Sequence, residues 1–270
     1  MSIYAWCNSP LSKHIIDTAH AVMKVSKLNN ICRVVANKLY IFSKGSNISN
    51  DDLYELIVTI IALHDIGKAC ENYQKTVNTV NGACAARFTY HEVVGAALMA
   101  EAIMGVALND SIKYVATVAV LNHHHPLRDL NLSTFNSVEL RNEIVGSAGK
   151  LMKELSAEIA TIMPALNIKS KVTSDLLNNI LGICEKGFDI SKSLNNLITG
   201  ISGRSGGYQF LIRGLSKQSS FLTSIVSGLI NISDNISAYC RRGNKANVFT
   251  EEVLKELGIS CGKLYCNQAV

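Results

Sequence analysis

The histidines of this 270-residue chain are concentrated in one half of the sequence, where several of them could bind the same metal ions. All seven lie in the first half of the sequence: His14, His20, His64, His91, His123, His124 and His125. Two aspartates accompany them, Asp65 directly after His64 and Asp234 far downstream in a mostly apolar run. Imidazole and carboxylate together suit borderline divalent ions such as manganese, iron, cobalt, nickel and zinc. The combination predicts a metal centre rather than a set of unrelated core histidines.

Asp65 gives a second reason to expect a cation. It follows the apolar run Ile60-Ile61-Ala62-Leu63, so its carboxylate should be buried. A buried carboxylate is costly unless it is paired or bound to a metal. Lys68 is three residues further on and would lie on the same side of a helix, where it could neutralise the charge. That salt bridge alone would leave the histidines unexplained, so we expect a metal as well.

The adjacent pair His64-Asp65 favours two ions over one. Neighbouring residues on a helix point about 100° apart, so the two side chains do not share a single ion by default. Near a helix end, however, the aspartate can reach between two ions while the histidine holds one. Two ions roughly 3.5–4 Å apart are the usual device for hydrolysing phosphodiesters.

Helical periodicity dominates the segments that would position these residues. Apolar residues recur at three-and-four spacing from Leu53 to His64, and the segment 49–52 before them offers N-cap side chains. No strand hairpin is expected, because Asn81-Gly82 has no alternating pattern around it. The sequence predicts an all-α protein. Further helical patterns cover residues 91–104, 112–122, 138–163 (ended by Pro164) and 219–240.

Composition excludes several other classes. With 48% apolar and 17% charged residues the chain is not intrinsically disordered. The net charge of +5 permits a nucleic-acid partner without requiring one. The best apolar window, Val93 to Leu108, is too short to span a membrane and carries Glu101, so we interpret it as a core helix. We expect one domain over residues 1–270, with an insert or mobile loop around 165–218, where Asn, Ser, Lys and Gly are frequent.

The eight cysteines are interpreted as reduced, buried residues. They form no C-x-x-C pair, and the first residues show no basic segment followed by an apolar stretch, so no secretory signal is expected. A cytoplasmic location follows, with a disulfide such as Cys261–Cys266 left open as an alternative. The basic residues other than Lys68 are treated as solvated surface, because none lies near a run of aromatic residues: Arg87, Arg128, Arg204, Arg213, Arg241, Arg242 and Lys245.

The ordered motifs resemble those of a known family. His14, His64-Asp65 and Asp234 are similar to the H…HD…D signature of the HD phosphohydrolase superfamily. More specifically, the chain resembles the CRISPR-associated HD nucleases over residues 13 to about 128 and again around Asp234. The matching segments are Leu63–Ala69 with Asn72-Tyr73-Gln74 (HDxGKA…FQ), Tyr90-His91-Glu92 (the HE motif), His123-His124 (paired histidines) and Lys13–Ala19 (the N-terminal H-x-x-D-x-A helix).

The resemblance implies an HD-domain helical bundle with a binuclear metal centre between core helices. One ion would be held by His14, His64, Asp65 and Asp234, and the second by Asp65, His91, His123 and His124. Asp65 and Lys68 would be the catalytic residues, with Lys68 positioning or neutralising the substrate phosphate.

Two positions depart from the family pattern. His20 competes with His14 as the first ligand, and we favour His14 because its local pattern fits. Three consecutive histidines stand where the family commonly has two. His125 is therefore either an additional group near the site or a ligand in a shifted register.

The resemblance also implies a function and partners. The family hydrolyses single-stranded DNA in CRISPR interference, with two divalent ions that would be manganese, nickel, cobalt or iron, magnesium remaining an option. No phosphate-loop motif of a helicase is present in this sequence, so the expected partners are a separate helicase subunit and a guide-RNA surveillance complex. Two alternatives stay open: hydrolysis of a nucleotide or cyclic dinucleotide, and a non-catalytic subunit of the interference complex.

Overall fold

The computed structural model describes residues 2–7, 9–42, 48–80, 83–124, 137–242, 248–258, 260–261 and 264. Most of this length is helical, which confirms the all-α prediction. The α-helices in the described part are α1 (Leu11–Lys24), α2 (Ser26–Phe42), α3 (Asn50–Ala62), α4 (Glu71–Lys75), α5 (His91–Met104), α6 (Asp110–Leu121), α7 (Val138–Ala148), α8 (Leu155–Ala165), α9 (Lys171–Lys186), α10 (Ile190–Ile201), α11 (Gln209–Arg213), α12 (Lys217–Arg242) and α13 (Val248–Leu257). A 3₁₀ helix, Leu63–Lys68, continues directly from α3.

Within the described ranges, two small antiparallel hairpins interrupt the helices. Strand β1 (Tyr4–Trp6) pairs with β2 (Ser9–Pro10), and β3 (Thr79–Val80) pairs with β4 (Ala83–Cys84). The prediction that no hairpin forms was wrong at both places. Strands of two or three residues are too short to show an alternating pattern, so periodicity could not reveal them.

Helix α5 lies at the centre of the bundle. All its residues are buried except Glu101 and Met104, and a helix that is apolar on every side belongs inside a protein. It packs against α6, the 3₁₀ helix, α9 and α10. The interpretation of this segment as a core helix is therefore confirmed. No helix in the described residues is long and apolar enough to cross a membrane.

The predicted start of α3 is also confirmed. Ser49 caps the helix, its hydroxyl accepting from the Asp52 backbone N–H at 3.0 Å, and the Asp52 carboxylate accepts from the Ser49 N–H at 3.0 Å. This capping box fixes the first turn of the helix whose far end delivers His64 and Asp65.

The second half of the chain differs from the sequence prediction in two ways. The pattern over 138–163 is two helices rather than one, separated at Gly149, whose φ of +74° favours glycine. Pro164 lies within the last turn of α8 and does not end it. The mobile loop expected around 165–218 is largely helical, formed by α9, α10 and α11. Because Asn, Ser and Lys are frequent in this region, its overall composition is polar, and composition alone did not reveal the apolar faces of these helices.

These helices are attached to the core by hydrogen bonds. The Tyr208 hydroxyl and the Ser193 hydroxyl both donate to the carboxylate of Glu101 on α5. Asn179 Nδ2 donates to the Ala102 carbonyl at 2.8 Å. The region is therefore packed on the central helix rather than solvated on all sides. Whether residues 1–270 form one domain stays a prediction.

The cysteines are only partly as expected. Cys32, Cys70 and Cys184 are free and buried, but Cys240 and Cys261 form a disulfide across 21 residues, which the prediction of reduced thiols missed. Cys266, the alternative partner considered for Cys261, lies outside the described residues. This disulfide joins the end of α12 to a later segment. Because only the folded chain brings the two cysteines together, the sequence around each of them does not predict it.

A close backbone approach joins the 3₁₀ helix to α5. A Cβ built on Gly67 would lie 2.1 Å from the His91 carbonyl oxygen and 2.6 Å from the Gly95 nitrogen. At Gly95, a Cβ would lie 3.3 Å from the Gly67 nitrogen, which is also a tight contact. Gly67 is thus required where His64 and Asp65 approach His91.

Gly67→Ala is expected to destabilise the protein by about 3 kcal/mol or more, because the added methyl group meets rigid backbone and over-packing of this kind is costly. Urea unfolding followed by circular dichroism measures the change. Gly146→Ala is the matched control, since a Cβ there meets nothing within 4 Å. An unchanged midpoint for Gly67→Ala would show that α5 and the 3₁₀ helix are not packed this closely.

Candidate metal centre

The structure brings all seven predicted metal ligands together from five parts of the chain. The 3₁₀ helix contributes two adjacent residues, and the others come from the first half of α1, the start of α5, the turn after α6 and the middle of α12. They are His14, His64, Asp65, His91, His123, His124 and Asp234. His20 lies on α1 but belongs to neither cluster of ligand atoms. His125 lies outside the described residues.

The first cluster contains His14, His64, Asp65 and Asp234, whose ligand atoms lie within 4.8 Å of one another. His14 Nε2 is 3.0 Å from Asp65 Oδ2 and 3.3 Å from Asp234 Oδ1. His64 Nε2 faces the same two oxygens at 3.5 Å and 3.8 Å. Two imidazoles and two carboxylates thus converge on one point.

The second cluster adjoins the first and shares Asp65 with it. Here Asp65 uses its other oxygen: Oδ1 is 2.9 Å from His91 Nε2 and 3.8 Å from His123 Nε2. His124 Nε2 lies 3.3 Å from His91 Nε2 and completes the group. Each oxygen of one carboxylate therefore serves a different cluster, which is the arrangement of a bridging ligand.

Backbone contacts orient three of the rings. Nδ1 of His64, His91 and His123 lies 2.9, 2.6 and 2.6 Å from the carbonyl oxygen three residues earlier. A proton on Nδ1 satisfies that carbonyl and leaves the Nε2 lone pair directed at the cluster, as in metal-bound histidines. The buried Glu92 carboxylate also lies close to the His91 ring, with Oε2 3.3 Å from Nδ1.

With these tautomers, the centre is suited to a cation. Nε2 of His64 and His123 and Oδ1 of Asp65 are buried and have no hydrogen-bond partner in the described part of the chain. Lone pairs on nitrogen and carboxylate oxygen then face each other, which is unfavourable without a positive charge between them. The residues present fit divalent ions.

The charge states of Asp65, His123 and His124 also suit metal binding. At His64, by contrast, burial lowers the pKa but the Asp65 and Asp234 carboxylates raise it above its ordinary value. Burial raises the pKa of Asp65, but the Lys68 ammonium, 2.6 Å from Oδ2, holds that pKa well below its usual range. Burial, reinforced by neighbouring imidazoles, lowers the pKa of His123 well below its ordinary value and that of His124 to about 4. Asp65 is therefore ionised and these two histidines are neutral at pH 7, as ligands must be.

The centre opens into a cleft of about 990 Å³. Besides ligands of both clusters, its walls carry two aromatic residues and three cations: Trp6, Phe88, Lys68, Arg87 and Arg241. The Lys68 ammonium lies 5.2 Å from the centre of the Phe88 ring, which helps to hold it at the mouth of the site.

The sequence did not indicate how two of these cations are used. Arg241 had been treated as solvated, but its guanidinium forms an ion pair with the fully buried Asp17 and joins the end of α12 to α1. Arg87 had been set aside for want of nearby aromatic residues, yet the cleft places it with Trp6 and Phe88. The Arg241–Asp17 ion pair could not be found from sequence spacing, because its residues are distant along the chain. Trp6 is likewise distant from Arg87, although Phe88 directly follows that arginine.

A helical bundle that gathers histidines and aspartates into two adjoining clusters defines an HD-domain protein. A family model described as Cas3, HD domain, matches residues 6–236, a range that contains all seven cluster residues, and the chain belongs to this family. The resemblance inferred from the motifs is confirmed.

A curated relative supports the same assignment. The chain is similar to the CRISPR-associated endonuclease Cas3-HD of Pyrococcus furiosus, with 26% identity over 147 residues, which is 54% of this chain and 58% of the relative. The similarity thus spans somewhat more than half of the length of either protein.

Proposed function

We propose that this protein is a metal-dependent nuclease that hydrolyses single-stranded DNA in CRISPR interference. The observation that carries the proposal is the bridging position of Asp65, whose two oxygens face two adjoining clusters of metal-ligand type. Family membership and the similarity to a relative named as an endonuclease support it.

We propose two divalent ions as cofactors. His14, His64 and Asp234 would hold one, and His91, His123 and His124 the other, with Asp65 shared. Histidine-rich sets favour manganese, cobalt, nickel or iron over magnesium, which prefers oxygen ligands. When bound, such a pair activates water and stabilises the attacking and leaving oxygens of an in-line displacement at phosphorus.

The protein's own contribution is to hold the ligands and the substrate phosphate. Asp65 is the residue on which both clusters depend. Lys68 is the cation at the boundary between the centre and the cleft, with its side chain 14% exposed and its ammonium on Asp65 Oδ2. A phosphate entering the cleft would receive a charge-assisted hydrogen bond from this ammonium, which neutralises part of its charge.

The proposed partners follow from the family. We expect the nuclease to act in the cytoplasm with a helicase subunit on a separate chain and with a guide-RNA surveillance complex. The cations and aromatic residues of the cleft suit a nucleic-acid strand, because single-stranded DNA is bound through phosphate contacts and base stacking.

Cleavage of circular single-stranded DNA tests this function. Purified protein is expected to linearise the circle with manganese or nickel, to leave it intact with chelator, and to cut a duplex circle far more slowly. Linearisation also shows that no DNA end is needed. Protein that binds metal yet leaves the circle intact and instead hydrolyses a cyclic dinucleotide would overturn the proposal in favour of a small-molecule phosphohydrolase.

A further inference from the structure

We propose that Trp6 forms a subsite beside the metal centre, on which one nucleobase of a single strand stacks. Gln74 holds the strand that carries Trp6 in a fixed position relative to Lys68. The inference rests on the proposed function and adds to it how the substrate is recognised. Neither residue is a metal ligand.

Trp6 is well placed for such a contact. It ends strand β1, is partly buried, and lines the same cleft as His14, Lys68 and Asp234. An indole that is half embedded in a wall loses little conformational freedom when a ring stacks on it. Because the faces of paired bases are hidden inside a duplex, a stacking surface at this position favours single-stranded substrates.

Gln74 connects the strand that carries Trp6 to the metal centre. Its Oε1 accepts from the Tyr4 backbone N–H at 2.9 Å, and its Nε2 donates to the Tyr4 carbonyl at 2.9 Å and to the Lys68 carbonyl at 2.8 Å. One amide therefore ties β1 to the last residue of the 3₁₀ helix. The sequence singled out this glutamine as part of a motif, and the metal chemistry gives it no task.

Arg87 supplies a phosphate contact next to this subsite. Its side chain is exposed and lines the cleft, while its backbone N–H donates to the Thr76 hydroxyl at 2.9 Å. Within the described residues its guanidinium has no acidic partner. A strand with one base on Trp6 would thus present neighbouring phosphates to Arg87 and Lys68.

The intrinsic fluorescence of the protein reports on this subsite directly, because Trp6 is the single tryptophan of the chain. Chelator-treated protein is titrated with an oligothymidylate and with an oligomer of equal length whose sugars lack bases, while anisotropy of labelled strands follows binding. We expect quenching by the oligothymidylate only. Equal quenching by both strands, or none on binding of either, would overturn the proposal, as would failure of both strands to bind.

Substitutions separate stacking from a structural role. For single-stranded DNA, Trp6→Ala is expected to raise KM about tenfold with kcat changed less than about twofold, and Trp6→Phe to recover most of the loss, as for a base-stacking contact. Gln74→Leu leaves Trp6 in place but removes the hydrogen bonds that tie β1 to Lys68, so it should also raise KM. Phe221→Ala is the matched control, an aromatic residue 66% exposed on α12 outside the cleft. An unchanged KM for Trp6→Ala, or a fall in kcat alone, would contradict the subsite.

A small diester keeps this test independent of the proposed function. The wild-type protein with manganese is also assayed on bis(para-nitrophenyl) phosphate, which contains a phosphodiester but no nucleobase. No hydrolysis of this compound or of DNA would count against the proposed function itself. Hydrolysis of both, with the same preference for DNA over the small diester in Trp6→Ala as in wild type, would count against the subsite alone.

Discussion

Asp65→Ala is expected to lower DNA cleavage by at least about a thousandfold, or about 4 kcal/mol of transition-state stabilisation, and to remove both ions. The reason is geometric, because each cluster depends on one oxygen of this carboxylate. Helicity should be retained, since the apolar surfaces of α3 and α5 do not involve Asp65. Single-turnover cleavage, metal content and circular dichroism measure the three effects.

The matched control for Asp65 is an aspartate on the surface. Asp175 pairs with Lys171 four residues earlier on α9, far from any cluster residue in sequence, and Asp175→Ala should keep full activity and both ions. Turnover close to wild type in Asp65→Ala would exclude this centre as the site of hydrolysis. Loss of activity with both ions still bound would leave Asp65 a catalytic role but not a bridging one.

His91→Ala is expected to reduce bound manganese from two ions to one and to slow cleavage by about a hundredfold or more. With one ion missing, either the attacking or the leaving oxygen is no longer stabilised by a metal. His91 Nε2 contacts Asp65 Oδ1 and His124 Nε2 and takes no part in the first cluster. Equilibrium dialysis gives the stoichiometry, and the same samples are assayed for cleavage.

A second histidine variant provides the control for this prediction. His20→Ala removes a histidine that the sequence offered as a rival of His14 but that lies outside both clusters. It should bind two ions and cut at the wild-type rate. Two ions bound to His91→Ala, or one ion bound to His20→Ala, would show that the clusters are assigned incorrectly.

Much of the metal centre could be anticipated from local sequence. The apolar run before Asp65 predicted its burial, and the structure leaves that residue only 1% exposed. Ser49 marked the start of α3, and the alanine-rich segment from His91 marked a core helix. These signals are local, because helix caps and apolar periodicity depend on residues within a few turns of each other.

What the sequence missed depends on contacts between distant segments. The hairpin that carries Trp6 is held by Gln74, which lies about seventy residues later. The disulfide of Cys240 and the ion pair of Asp17 likewise join segments that only the fold brings together. In the region 165–218, composition concealed the amphipathic helices α9 and α10. The walls of the cleft were therefore less predictable than the ligands at its floor.

Titration of chelator-stripped protein with manganese, followed by electron paramagnetic resonance, tests the central claim most directly. Two clusters that share the Asp65 carboxylate predict two ions per chain, with the spectrum of an exchange-coupled pair once both are bound. A stoichiometry of one ion per chain, or two ions with independent spectra, would contradict the bridging role assigned to Asp65 and with it the proposed binuclear centre.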